Sequence, residues 1–249
     1  MGVSDTGIGG RRDFPATHWS RIRHADDADS PDYQRHLRQL VELYWKPVYA
    51  VIRRSWARGN DDAKDLTQEF FAEVVFERSL AGGYDPDRGS FRVFLRMALT
   101  RFMSNVVRDA SRQKRGGGQQ PVTLAAIEED GQRAFEALGS AAELSPAEAF
   151  DLSWNQAVME KAVAELERRL VADGKATVFA LWKRYDLEGG SEEMSYGALA
   201  EAFSLSIPQV KNALPHVRGV LRDVVTEIVR GYVDGPDDLA AELRSLYMR

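Results

Sequence analysis

The chain has 249 residues, 44% of them hydrophobic and 29% charged, the balance of a soluble globular protein with room for one or two domains. It contains no cysteine, which excludes disulfides and thiol chemistry and fits a cytoplasmic setting; no run approaches the roughly 20 apolar residues of a membrane helix. The net charge of −5 argues against a uniformly basic nucleic-acid binder, but what phosphate needs is local positive charge, and the charges here are unevenly spread.

Residues 1–30 read as an N-terminal extension whose first part, Met1–Arg12, is Gly-rich and polar and lacks the apolar core of a secretory signal. From Asp32 to Arg58, Leu37, Leu40, Val41, Tyr44, Val48 and Ile52 recur at helical spacing, with a kink or break expected at Pro47. A second helix is predicted from Asp61 to Leu80 on Leu66, Phe70, Phe71 and Val74, ended by the Gly82–Gly89 loop. A third runs from Ser90 to about Lys114 on Phe91, Leu95, Ala98, Phe102 and Val106. After Gly116-Gly117-Gly118 the composition turns mixed, and 117–149 reads as a linker with one short helix around Thr123–Leu138. Helices are then predicted over Ala149–Val171, Ala176–Tyr185, Ser195–Phe203, Ser206–Val233 and Pro236–Tyr247. Alternating β-branched runs are missing, so the predicted class is all-α. Two helical domains, 31–116 and 150–249, are joined by the linker.

The chemistry lies in charge and periodicity. Gly89–Arg115 carries seven Lys/Arg against one acid, whereas Asp61–Glu77 carries six acids against one Lys, as if for two different partners. On the third helix Arg101, Asn105, Arg108, Arg112 and Arg115 share one face, with Lys114 beside them and Arg92 and Arg96 flanking the apolar stripe on its other side. A stripe of one sign suits a phosphate backbone better than a solvated face, which usually mixes signs. On the second helix Asp61, Asp65, Gln68, Glu69 and Glu73 share the polar side, and Phe76 lies among them, which suits a protein contact. In the C-terminal half, Tyr196, Leu199, Ala200 and Phe203, the turn Ser204-Leu205-Ser206, and the stripe Val210, Leu214, Val217 and Leu221 make a helix-turn-helix pattern. Ser206 with Gln209 is a capping box opening its second helix. Gln209, Asn212 and His216 would face base edges, and Lys211, Arg218 and Arg222 phosphates.

Enzyme signatures are missing. His18, His24, His36 and His216 are scattered at no metal-ligand spacing, and there is no Walker loop, nucleophile elbow or dinucleotide fingerprint. Asp61-Asp62-Ala63-Lys64-Asp65 resembles a D-D-x-x-D diphosphate motif, but no second acidic cluster accompanies it, and acids favour helix N-termini anyway. No catalysis, cofactor or metal is expected.

Taken in order, these pieces resemble the extracytoplasmic-function sigma factors of bacterial RNA polymerase, of the sigma-70 family. The resemblance rests on Asp65-Leu66-Thr67-Gln68-Glu69-Phe70-Phe71, on Arg88–Leu95 onward to Gly116, and on Ser195–Ala200 through Val210-Lys211 to Leu221-Arg222. Thr17-His18-Trp19-Ser20, Tyr44–Tyr49, Phe150-Asp151 and the tail Glu242–Leu246 fit one subgroup. It implies that the acidic face docks on core RNA polymerase, the Arg101–Arg115 ridge grips promoter DNA at −10, and the helix-turn-helix, including Ser206, reads −35. The partners expected are core RNA polymerase, promoter DNA, and an anti-sigma factor or a regulatory kinase. Thr67 in the docking helix reads either as a site where a kinase would add charge to the acidic face or as a Thr that simply faces solvent or the helix backbone. This chain departs from the family at Lys64, often Glu there, at Ser204, usually Gly, and at Pro215 inside the recognition helix; it also has less Arg over Val217–Val220. Two other readings fit parts of the chain: a degenerate sigma-like interaction module, and a stand-alone helix-turn-helix regulator that leaves the Asp65 motif and the Arg ridge without a role.

Overall fold

The computed structural model describes residues 31–56, 59–73, 90–110, 144–189, 194–233 and 235–247. Among these there is no strand. The helices are α1 (Pro31–Ser55), α2 (Asn60–Phe70), α3 (Phe91–Ala110), α4 (Pro146–Ala172), α5 (Ala176–Trp182) running into a π-helical turn (Lys183–Leu187), α6 (Tyr196–Ala202), α7 (Ile207–Arg230) and α8 (Pro236–Tyr247). No described helix is long and apolar enough to cross a membrane.

The chain divides into two compact units, one of residues Met1–Ala157 and Val229–Arg249, the other of Val158–Ile228. This division departs from the expected 150–249 domain, because residues on both flanks of that range belong to the first unit. The aromatic core of the first unit explains why. The Tyr44 ring of α1 stands edge-on to Phe91 of α3 at 5.6 Å and to Tyr232 at 5.9 Å. The Tyr232 hydroxyl donates to the Gln39 carbonyl at 3.0 Å, and Phe150 and Trp154 of α4 are buried in the same unit. Phe70 packs edge-on against Phe71 and Phe102, fixing α2 to α3. Each such ring taken out of water contributes about 2 kcal/mol, so the sequence-distant residues earn their place by burial.

Pro47 does not break α1, which runs unbroken through it. Proline removes the bond its N–H would give the Leu43 carbonyl, at a cost of about 3 kcal/mol. Leu43, Tyr44, Val48 and Tyr49 around it are at most 1% exposed, and burying that continuous face outweighs the lost bond. On α3 the inward stripe is Phe91, Leu95, Leu99, Phe102 and Met103, while Ala98 and Val106, expected inside, are half-buried. α4 starts at Pro146, earlier than predicted, because Ser145 and Glu148 form a capping box: Glu148 accepts from the Ser145 N–H at 2.8 Å, and Ser145 Oγ accepts from the Glu148 N–H at 3.3 Å. The predicted linker helix Thr123–Leu138 and the Gly82–Gly89 loop lie outside the described residues.

The second unit is a helical cluster whose core is Leu166, Leu170, Phe179, Leu181, Trp182, Leu199, Ala200, Val210, Leu214 and Val217. Gly174, at φ +71°, closes α4 with bonds from the Gly174 N–H to the Val171 carbonyl and from the Lys175 N–H to the Leu170 carbonyl. At the surface Glu165 accepts from Arg168 and Arg169 at 2.7 Å each, and Arg169 donates to Glu227 at 2.6 Å.

Candidate protein and nucleic-acid interfaces

The acidic side of α2 is built as the sequence predicts. Burial of Ala63, Thr67 and Phe70 turns Asp61, Asp65 and Glu69 outward, with Gln68 and Glu73 half-exposed beside them. Lys64 comes within 4.0 Å of Asp61, so one cation sits inside the acid patch. Partial burial, and then the neighbouring charge of Glu73, raise the Glu69 carboxyl above its usual range. Phe76 lies outside the described residues.

Thr67 takes the plainer of its two readings, a Thr facing the helix backbone. It is fully buried, and its hydroxyl donates to the Ala63 carbonyl at 2.6 Å within the helix. A kinase has no access to it while α2 stays folded, so Thr67 is not a surface switch on the acidic face. It points inward because it follows Ala63 by one turn on the same buried side.

On α3 the outward face carries Met97, Thr100, Arg101, Ser104, Val107 and Arg108. Residues 91–108 contain no acid. Met97 is 67% and Val107 49% exposed, unusual for large apolar side chains between two arginines. The hydroxyls of Thr100 and Ser104 donate back to the Arg96 and Thr100 carbonyls, so the face offers guanidinium and apolar surface. Asn105 is half-buried at its edge, and Arg112, Lys114 and Arg115 lie outside the described residues.

Arg92 and Arg96, expected on DNA, are held internally. Arg92 Nη1 donates to Asp151 Oδ1 at 3.0 Å, Arg92 Nε donates to Glu242 Oε1 at 3.1 Å, and Arg92 Nη2 lies 2.7 Å from Glu242 Oε2. The Arg92 guanidinium also stacks 4.6 Å from the centre of the Trp154 ring. Arg96 Nη1 donates to Asp151 Oδ2 at 3.0 Å, and Ser90 Oγ donates to Glu242 Oε1 at 3.0 Å. The reason is electrostatic: a half-buried guanidinium requires counter-charge, and two acids distant in sequence supply it. Asp151, Trp154 and Glu242 were given no role by the sequence pattern. One signal was readable, since Glu242 falls within the inward stripe Leu239, Leu243 and Leu246 of an amphipathic helix, where a charge has no place without a partner.

In the second unit α6 and α7 form the helix-turn-helix pair. Ser195 caps α6, accepting from the Ala198 N–H at 3.2 Å. Ser204 adopts φ +53°, the only non-glycine at positive φ among the described residues. Its N–H donates to Glu201 and the Leu205 N–H to Ala200, the bond pair that closes a helix through a left-handed residue. The predicted capping box forms: Ser206 N–H donates to Gln209 Oε1 at 2.7 Å, and the Gln209 N–H to Ser206 Oγ at 3.4 Å. That engages Gln209 Oε1, a group also expected to read a base, and Ser206 with it. Lys211, Asn212, His216 and Arg222 are exposed. Arg218 makes a two-point contact with Asp186 at 2.7 and 2.8 Å, which raises its already high pKa. α7 runs unbroken through the exposed Pro215.

Among the described residues no group of three or more His, Asp or Glu is placed to hold a metal ion. No family model, no curated protein and no solved structure matches the chain.

Proposed function

We propose that this protein is an alternative sigma factor that binds core RNA polymerase and directs promoter-specific initiation. The observation that carries the reading is the outward face of α3. Arg101 and Arg108 are exposed with Met97 and Val107 between and beside them, on a helix segment without an acid. Guanidinium groups neutralise phosphates, and exposed apolar side chains meet unstacked bases. The preceding helix of the same unit offers the opposite charge through Asp61, Asp65 and Glu69, which suits a basic protein partner rather than DNA. The helix-turn-helix of the second unit supplies a separate element of the size that enters a major groove.

A second reading is favoured by three observations on α7. Arg218 is paired with Asp186, Gln209 is engaged in the cap, and Pro215 interrupts the hydrogen-bond ladder. These support a sigma-like module that binds polymerase but contributes little at −35.

Run-off transcription with purified bacterial core polymerase and genomic promoter fragments separates the two. Discrete transcripts that require the protein, and that vanish with Arg101→Glu plus Arg108→Glu, are the expected outcome. Core binding without transcripts supports the module instead. Duplex DNA binding with no affinity for polymerase defeats both and leaves a stand-alone regulator.

A further inference from the structure

We infer that Asp186 is a positioning residue for DNA: it holds one edge of the Arg218 guanidinium of α7 and turns the adjoining edge outward, toward a backbone phosphate. The inference rests on the proposed −35 role of the helix-turn-helix and gives a part in it to Asp186, which that reading leaves without one.

The contact occupies one edge of the guanidinium and leaves the rest usable. Arg218 Nε donates to Asp186 Oδ2 at 2.8 Å, and Arg218 Nη2 donates to Asp186 Oδ1 at 2.7 Å. A guanidinium carries five N–H donors in one plane, so both donors of Nη1 and the second of Nη2 remain. One from each of these nitrogens points along the adjoining edge, which matches two phosphate oxygens as the first edge matches two carboxylate oxygens. The Asp186 side chain is 19% exposed and that of Arg218 45%, so the acid lies on the inner side of the pair and the cation on the outer. At 100° per residue Lys211, Arg218 and Arg222 fall within about 40° of one another on α7, and all three are exposed. Arg218 is therefore the middle member of a cationic strip.

The acid is carried on a firm element. Asp186 lies in the π-helical turn Lys183–Leu187, whose entry is anchored by Leu181 and Trp182 in the core of the second unit. Next to it the Tyr185 ring packs 5.5 Å from the Tyr196 ring of α6, tying the turn to the first helix of the pair. Such turns are rare and recur at functional sites, where the wider turn re-aims the side chains it carries. An ion pair this exposed contributes little to stability, so holding the fold together does not account for it. What the pair does is fix a long side chain. A free Arg loses rotamer freedom when it grips a phosphate, whereas Arg218 has lost it already on folding. The pairing thus aims the cation, and one edge stays available to DNA.

Phosphate-ethylation interference tests this on genomic promoter fragments, bound by the full-length protein alone and by its complex with core polymerase. Ethylation removes the charge of one phosphate at a time, so wild type is expected to lose binding at a backbone position that Arg218→Ala ignores. Asp186→Asn is expected to ignore the same position and to bind about fivefold more weakly, the effect of one long side chain left to be immobilised on binding. Asp186→Glu, which keeps the acid, restores the signal. Arg218→Lys does not, because an ammonium has no second edge to offer. Adding Asp186→Asn to Arg218→Ala changes nothing further, since the acid acts only through the cation. If Asp186→Asn does not fold, Arg218→Lys decides by itself, and its keeping the signal overturns the positioning role. So does an Asp186→Asn protein that keeps the wild-type pattern or binds as tightly as wild type, and so does failure of wild type to bind the fragments in either form. An Asp186-dependent signal on the protein alone, with no transcripts from core polymerase, sinks initiation and spares the inference. Transcripts together with an Asp186-independent signal do the reverse.

Discussion

Ser204 and Glu165 show how single residues set local energies in the second unit. Ser204 sits at φ +53°, where a Cβ meets backbone oxygen and only glycine is unstrained. Replacing it should relieve that strain without disturbing the two bonds that close α6. Ser204→Gly is expected to stabilise the protein by about 0.5–1 kcal/mol in urea unfolding, after the extra chain entropy of glycine is subtracted. The Glu165 carboxyl is lowered to about 2, first by its hydrogen bond with Arg168 and further by Arg169. Because the folded value lies below the unfolded one, its stabilisation is full above about pH 4.5 and is lost as pH falls towards 2. The pair is near the surface, so solvent screening limits the effect to about 1 kcal/mol. The stability difference between wild type and Glu165→Gln should be constant from pH 5 to 7 and vanish by about pH 2 in denaturant titrations.

Among the elements, α7 carries a proline in an exposed interior position, where packing gains nothing from it. Pro215→Ala returns an N–H that can reach the Lys211 carbonyl, and should raise stability by about 1–3 kcal/mol in the same urea assay. The same variant tests the −35 reading, since a straightened ladder that strengthens transcription from promoters carrying a −35 element would identify Pro215 as the weak point. Elements of this kind were largely legible in the sequence. The proline and two acids opening α8 gave its span, and the 3.6-residue stripe gave α3 except that Leu99 and Met103 displaced Ala98 and Val106 from the centre of its buried side. Pro47 misled because propensity is local and the burial that overrides it is not. The start of α4 was missed although Ser145 and Glu148 spell the same capping box that was recognised at Ser206 and Gln209.

Across the molecule, the site was legible where it depends on one helix and illegible where it depends on contacts between helices. Asp61, Asp65, Glu69, Arg101 and Arg108 face outward as periodicity predicts. Arg92, Arg96 and Arg218 do not stand free, because a cationic stripe has the same sequence whether its neighbours in space are phosphates or carboxylates. Asp151, Asp186 and Glu242 reach them only through the tertiary fold, and Asp151 and Glu242 lie 59 and 150 positions from Arg92. Thr67 was open between two readings for a related reason: its heptapeptide resembles a docking motif, and one turn of offset from Ala63 decides that its hydroxyl is spent on the helix itself.

The separation between Arg92 and Glu242 also has a consequence for biosynthesis. Chains emerge from the ribosome at about 5–20 residues per second, so on the order of ten seconds passes between the emergence of the two. Through that interval α3 has neither Glu242 nor the Tyr232 ring to close the aromatic cluster around Tyr44. The nascent first unit therefore exposes Tyr44 and Phe91 and leaves Arg92 with Asp151 as its one carboxylate partner, a combination that invites chaperones before the polypeptide is complete.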